Sequence, residues 1–361
     1  MLRNPSRMLV LAFLVLAVSV AAYSETAGNS GNHPDPNKEA PQPPGAVSNH
    51  AKTAEVVAAV EALYATLDED LLEQVKYDLD DEKRRNWSNL PANITDFERN
   101  GIRMGDLNEE QRASVFAVLE TSLSTEGFEK VRRIVRADEI LAQSSPRAAR
   151  FGWTEDNYWF AVFGAPSVTE AWSWQFGGHH LAVNVTIDEG RMFLSPTFLG
   201  VEPATFEDGG ETFAPLQAEL EGGLALVQAL DETQQAAAIV TDRPREVYAG
   251  AGRDGVVPPT EGALAGEWSS VQQDMLVELI DLWVGMLPET EAEARHAEIA
   301  PDLHETRFAW HGPVDGSGSV YYRIQGPRLL IEFSTQGNIG DDAGHNHSVY
   351  RDPTREYGGT L

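Results

Sequence analysis

Four of the nine histidines in this 361-residue chain fall in two short motifs. His179 and His180 end the run Trp172-Ser-Trp-Gln-Phe-Gly-Gly-His-His180, and His345 and His347 flank Asn346 near the C-terminus. Imidazole is a common metal ligand and titrates near neutral pH. Residues two apart on an extended segment share one face, so His345 and His347 can aim at a single point. Such an H-x-H pair is half of a zinc, copper or iron site. His179 and His180 are adjacent and face opposite ways, so one can join the pair while the other lies in the opposite layer or bonds a backbone carbonyl. Gly177, Gly178 and Gly344 beside them suit the close backbone approach of a site mouth, and equally a β-bulge.

A carboxylate joins the set. Glu332 sits inside the apolar run Leu329-Leu-Ile-Glu-Phe333, and a carboxylate in a buried strand is costly unless paired, protonated or bound to a cation. The expectation is a metal held by His345, His347 and one of His179 and His180. Glu332 then serves as fourth ligand or general base, and Arg351 stabilises developing negative charge. Zinc is the first choice of ion, with copper or iron as alternatives. The plainer reading makes all these histidines hydrogen-bonded residues of a core.

Alternating apolar and aromatic runs must position these residues. Tyr158 to Phe163, Ala171 to Phe176 and His180 to Ile187 read as neighbouring antiparallel strands. Arg307 to His311, Ser319 to Ile324 and Arg328 to Ser334 read as three more, followed by a glycine-bearing loop that delivers His345. Helical spacing predicts helices over Ala54 to Leu67, from an N-cap at Asn108 to about Leu123, and over Thr125 to Leu141. It predicts three more over Phe213 to Leu230, Asp231 to Val240 and Trp268 to Met286. The fold class that follows is α+β: a helical N-terminal part packed on antiparallel sheet, with further helices between the strand groups. Residues 51–361 make one integrated domain, a helical subdomain over 51–150 being the alternative division. Trp153, Trp159, Trp172 and Trp174 cluster in the first strand group, where core packing outweighs a stacking platform for sugars.

Residues 1–24 read as a secretory signal. Arg3 and Arg7 precede an apolar core from Met8 to Val20 and a small-x-small site at Ala22-Tyr-Ser24; a retained anchor is the alternative, although the apolar stretch is short for a span. Residues 25–50 are rich in Asn, Pro, Gly and Ser and read as a disordered linker, so His33 and His50 are set aside as ligands. A periplasmic or extracellular protein follows, without stable membrane insertion after cleavage. The chain has no cysteine, so a metal must be held by His, Asp, Glu or water. Its formal charge of −29 repels phosphate backbones, which excludes nucleic acid as a partner and leaves a small molecule or peptide.

Several separated motifs agree in order with one family. Trp-x-x-Gln-Phe-Gly-Gly-His-His over 172–180, Ser195-Pro-Thr-Phe198 with Gly200, Tyr322-Arg-Ile-Gln-Gly-Pro327 with Ile331-Glu332, and His345-x-His-Ser-Val-Tyr-Arg-Asp-Pro353 resemble the bacterial domain of unknown function 3500 (DUF3500). The resemblance covers about residues 54–358 and carries no established activity. It implies an exported protein whose most distinctive residues are these histidines and Arg351-Asp352.

Three functions therefore compete: a secreted metal-dependent enzyme, hydrolysis being the simplest reaction; a metal- or ligand-binding module without turnover; and a structural protein. The H-E-x-x-H helix, the phosphate-cradling loop, a dinucleotide G-x-G-x-x-G following a strand and the nucleophile elbow are not found in the sequence.

Overall fold

In the computed structural model of the chain, residues 48–94, 97–335 and 344–359 are described. The expected signal over 1–24, most of the expected linker with His33, and residues 336–343 lie outside them. The described residues fall within a single compact unit, Ala40–Leu361.

The chain builds one pattern twice. The first pass is α1 (His50–Thr66), α2 (Glu69–Val75), β1 (Lys76–Tyr77), β2 (Ile102–Arg103), α3 (Glu109–Ser122), α4 (Thr125–Ser144), α5 (Pro146–Phe151), β3 (Trp159–Phe163), β4 (Trp172–Gly177), β5 (Leu181–Asp188) and β6 (Arg191–Val201). A hairpin of β7 (Phe206–Asp208) and β8 (Glu211–Phe213) follows. The second pass is α6 (Gln217–Ala229), α7 (Glu232–Ala238), β9 (Ile239–Thr241), β10 (Ala263–Leu264), α8 (Ser270–Val284), α9 (Glu289–Ile299), β11 (Arg307–His311), β12 (Tyr321–Gly326), β13 (Leu329–Thr335) and β14 (Asn346–Arg351). A 3-10 segment, Ala300–Glu305, stands where the C-terminal part of α4 stood.

The correspondence extends to single hydrogen bonds. Both α3 and α8 open with a capping box, Asn108 with Gln111 and Ser269 with Gln272, which satisfies otherwise orphaned N-terminal donors. In each repeat the same glutamine then ties the helix to the end of the first one. Gln111 donates to Thr66 O at 2.9 Å, and Gln272 to Ala229 O at 2.8 Å. Gly101 and Gly262, both at positive φ, pass so close to the following meander that a Cβ would lie 1.9 Å from Phe160 O in one case and 2.3 Å from Phe308 O in the other. Only glycine meets both demands.

Each repeat contributes a four-strand antiparallel meander, β3 to β6 and β11 to β14, with a short parallel strand, β1 or β9, beside its first member. The meanders join through antiparallel pairing of their last strands, β6 and β14, giving a twelve-stranded sheet among the described residues. Val183 faces Thr197 as Ile331 faces Tyr350, and Thr197 and Tyr350 face each other across the seam. The seam is thus an approximate two-fold axis. Helices cover one face of the sheet in a large core that includes Val60, Val131, Trp174, Phe176, Trp283, Tyr322 and Phe333. The other face packs Ala182, Phe198, Leu330 and Val349 against Trp87, Val247, Ala249 and Tyr357 from loops.

The α+β expectation therefore holds, and the predicted helices and strand groups are found. Trp153, Trp172 and Trp174 are buried, as core packing requires. The expected strand list lacked β6, because Pro196 in its middle carries no N–H for a ladder. The register shifts there, between Val183 and Val185, and the Asn184 side chain donates to Pro196 O at 2.7 Å. Arg84 donates to Leu79 O, Ser173, Thr186 and Tyr357 O, and among the described residues it pairs with no carboxylate.

Candidate metal centre

At one end of the seam three histidines meet. His180 lies in the tight turn between β4 and β5, closed by Gly178 N donating to Leu181 O at 2.7 Å. His345 and His347 enter and begin β14, on the segment whose alternation places them on one face. His347 pairs in register with Gly200 of β6. A Cβ on Gly200 would stand 2.9 Å from His180 Cδ2 and 3.0 Å from His347 Cδ2, so the glycine lets the two imidazoles close over the seam.

The Nε2 atom of His345 lies 3.2 Å from that of His180 and 2.9 Å from that of His347, and the three ligand atoms all fall within 4.8 Å of one another. Tetrahedral zinc with bonds of about 2.0–2.1 Å holds its nitrogens about 3.3 Å apart. All three rings are buried, His180 completely.

A carboxylate lies behind each ring, and those behind His180 and His347 are hydrogen-bonded to them. His180 Nδ1 is 2.6 Å from Asp138 Oδ1, and His347 Nδ1 is 3.0 Å from Glu246 Oε1. Glu202 Oε2 lies 3.7 Å from His345 Nδ1. An ionised carboxylate only accepts, so Asp138 and Glu246 favour the tautomers of His180 and His347 with the proton on Nδ1, in which the Nε2 lone pairs point at the shared space. Between them sits His345, which can give an Nε2 proton to one of them at most. A cation satisfies all three, and carboxylates behind the rings fix the tautomer and raise ligand basicity, as outer-shell partners of metal-bound histidines do. Asp138 is itself held. Its Oδ2 accepts from Tyr158 Oη at 2.7 Å, and burial followed by the charge of Asp138 keeps the Tyr158 phenol pKa well above its usual value, so it remains a donor.

Of the six residues that the sequence assigns to the site, the structure brings His180, His345 and His347 together and leaves three apart. His179 turns away, its Nδ1 donating to Asn89 O at 2.9 Å, which is the backbone-carbonyl alternative expected for one member of the adjacent pair. Its ring lies flat on Trp153, centroids 4.8 Å apart. Burial, then the neighbouring imidazoles, push its pKa well below the usual histidine range, so it is neutral. Glu332 is corrected in position: it does not belong to the close group, because Tyr248 N, Ala249 N and the Tyr321 hydroxyl already donate to it. Arg351 is likewise engaged, donating to Ala249 O, Gly250 O, Asp254 and Glu356. Both residues clamp the loop that carries Glu246 to His347.

The sequence reading missed the three carboxylates. One of them was legible: Asp138 interrupts the apolar side of α4 formed by Val131, Ile134, Val135 and Leu141, and an acid on such a stripe needs a partner. Glu202 and Glu246 lie in irregular segments with no such signal. Comparisons with curated proteins and with solved structures give no match. The family described as Protein of unknown function (DUF3500) matches residues 49–359, and the chain belongs to that family.

Proposed function

We propose that this protein is an exported metalloprotein in which His180, His345 and His347 hold one divalent ion, zinc first, with a fourth position left for water. The observation that carries this is the convergence of three Nε2 atoms whose opposite nitrogens face Asp138, Glu202 and Glu246. With three neutral ligands, zinc lowers the pKa of bound water toward neutrality and supplies a hydroxide nucleophile. Hydrolysis of a small ester, amide or phosphate-free peptide bond is the reaction that needs nothing more from the chain. The acidic surroundings disfavour anionic substrates and nucleic acid.

Binding without turnover is the second reading. It is favoured by the depth of the site: His180 is fully enclosed, and the partly exposed Glu246 is its outermost carboxylate.

Cobalt(II) substitution separates the two. A tetrahedral cobalt spectrum that changes on adding small exogenous ligands, together with metal-dependent ester or peptide hydrolysis, is the expected result. A tetrahedral spectrum indifferent to such ligands, without hydrolysis, supports a closed binding site. Absence of any cobalt site contradicts both. Export is tested separately, by N-terminal sequencing of protein recovered outside the cytoplasm.

A further inference from the structure

The opposite end of the seam has the same backbone and the inverse charge. Counted along the ladders, the two-fold mate of His347 is Phe193, since Ser334 faces His347 as Thr186 faces Phe193; that of His345 is Arg191, and that of Glu202 is Arg355. Counted from the starts of α4 and α9, the mate of Asp138 is Asp302. Asp302 takes Arg328 Nε at 3.0 Å, where Asp138 takes His180, and Arg328 is the mate of His180 along the β5 and β13 strands. Two of the three histidines, His180 and His345, and the acid Glu202 thus have arginine mates at the other end, while Phe193 stands for His347.

Two of these guanidinia are poorly satisfied. Arg191 Nη2 and Arg355 Nη1 donate to the same oxygen, Glu298 Oε1, at 2.7 and 2.6 Å, and no other hydrogen bond joins either side chain to the described residues. Each guanidinium has five N–H donors, and Arg355 is buried to about nine-tenths. Both lie over the Phe193 ring, at 4.9 and 5.5 Å. Of the nearby acids, Asp352 Oδ2 and Glu298 Oε2 hold Arg295 at 2.7 and 3.0 Å, and Asp188, opposite Arg191 in the β5–β6 ladder, acts on it through its charge without a side-chain hydrogen bond to it among the described residues. Glu291 also lines the cleft, and burial raises its carboxyl pKa above the usual range. Burial and then the charge of Arg355 lower the pKa of Arg191, the mark of two cations sharing too little negative charge.

We propose that the cleft between Arg191 and Arg355 binds a small oxyanion group, a carboxylate or phosphate, bridged by the two guanidinia over Phe193. Paired guanidinia give such groups charge-assisted, directional hydrogen bonds, and the site stands whether or not the histidine end holds a metal.

The test is calorimetric titration of the full chain, stripped of metal with chelator and then freed of it, with inorganic phosphate and with acetate at fixed ionic strength in chloride. Saturable binding at one site is expected for at least one probe, and the stronger one names the oxyanion. R191Q should weaken it about tenfold or more, the loss of a charge-assisted hydrogen bond, while cobalt uptake at the histidines is unchanged. The H345A/H347A variant should bind the anion as the unaltered chain does. No saturable heat from either probe, or equal affinity in R191Q, overturns the proposal. Should R191Q fail to fold, loss of anion binding in H345A/H347A overturns it by placing the anion at the histidine end instead.

Discussion

The two ends of the β6–β14 seam occupy matching places in two copies of one pattern, yet they are held together by opposite chemistry. At one end, neutral imidazoles from both repeats converge with carboxylates behind them. At the other, Arg191, Arg295 and Arg355 converge on Glu298. The first arrangement gathers nitrogen ligands with acids behind them, the donor set that suits a cation. The second already contains its cations, two of which, Arg191 and Arg355, share the single oxygen Glu298 Oε1. A shared backbone therefore fixes where side chains can meet, and a handful of residue identities decides what the meeting place can hold. The same contrast separates Glu332 from Glu202. Glu332 is caged by donors within its own repeat, whereas Glu202 faces a histidine from the other repeat.

Substitutions that break one end and spare the other sharpen the contrast. The largest effect is expected from Glu298→Gln, which leaves three buried or half-buried guanidinia short of a partner. Breaking a buried pair costs about 3–5 kcal/mol, so chemical denaturation should show a loss of that order with no change in metal affinity. The same end sets a pH response. Burial raises the Glu298 carboxyl, and the guanidinia of Arg355 and Arg295 more than offset this, leaving its pKa below the usual range. Its stabilisation is therefore present above the unfolded-state value of about 4.3 and lost as pH falls through the lower folded value; acid unfolding of E298Q should lack that component.

Next in size is Asp138→Asn at the metal end. It keeps the side-chain shape but removes the acceptor that fixes His180, and metal affinity should fall about 10–100-fold, as outer-shell losses do, measured by competition with a chelator. Equal affinity would separate Asp138 from the metal. Gly200→Ala should follow, pressing a methyl group on both His180 and His347; overpacking costs about 1–3 kcal/mol, and the cobalt spectrum should change along with stability. Glu246→Gln, at a half-exposed position, should have the smallest effect, less than about tenfold on metal affinity.

Much of this was legible in the sequence. The H-x-H pair needs only the two-residue repeat of a strand to converge, whereas His179 and His180 lie in a turn with ring centroids 3.9 Å apart, and what separates their roles is their hydrogen-bond partners, Asn89 O for one and Asp138 for the other. Helix α3 was marked by Asn108 at its cap and α8 by its amphipathic spacing, while the cap at Ser269 was not read. The doubling of the pattern was not read, although Gly101-x-x-x-Gly105-Asp-Leu-Asn-x-x-Gln111 and Gly262-x-x-x-Gly266-Glu-Trp-Ser-x-x-Gln272 carry it. So few shared residues suffice because a capping box and a glycine turn impose geometry, while the apolar positions between them tolerate many side chains. The carboxylates at the rings were hidden for a different reason. Which acid reaches which histidine depends on tertiary packing, within a repeat for Asp138 with His180 and Glu246 with His347 and across the seam for Glu202 with His345. Glu332 misled because burial of a carboxylate signals a partner without saying whether that partner is a metal or a set of N–H and O–H donors.

The central claim is that the seam's histidine end holds one metal ion between the repeats. It is tested most directly by elemental analysis of protein isolated without a histidine tag, beside the H345A/H347A variant. About one equivalent of zinc, or of copper or iron, that disappears in the folded double variant is the predicted result. Metal content that is equal in the two proteins, or no metal in either even after reconstitution with zinc, copper and iron, would contradict the account and leave the three imidazoles as a hydrogen-bonded core.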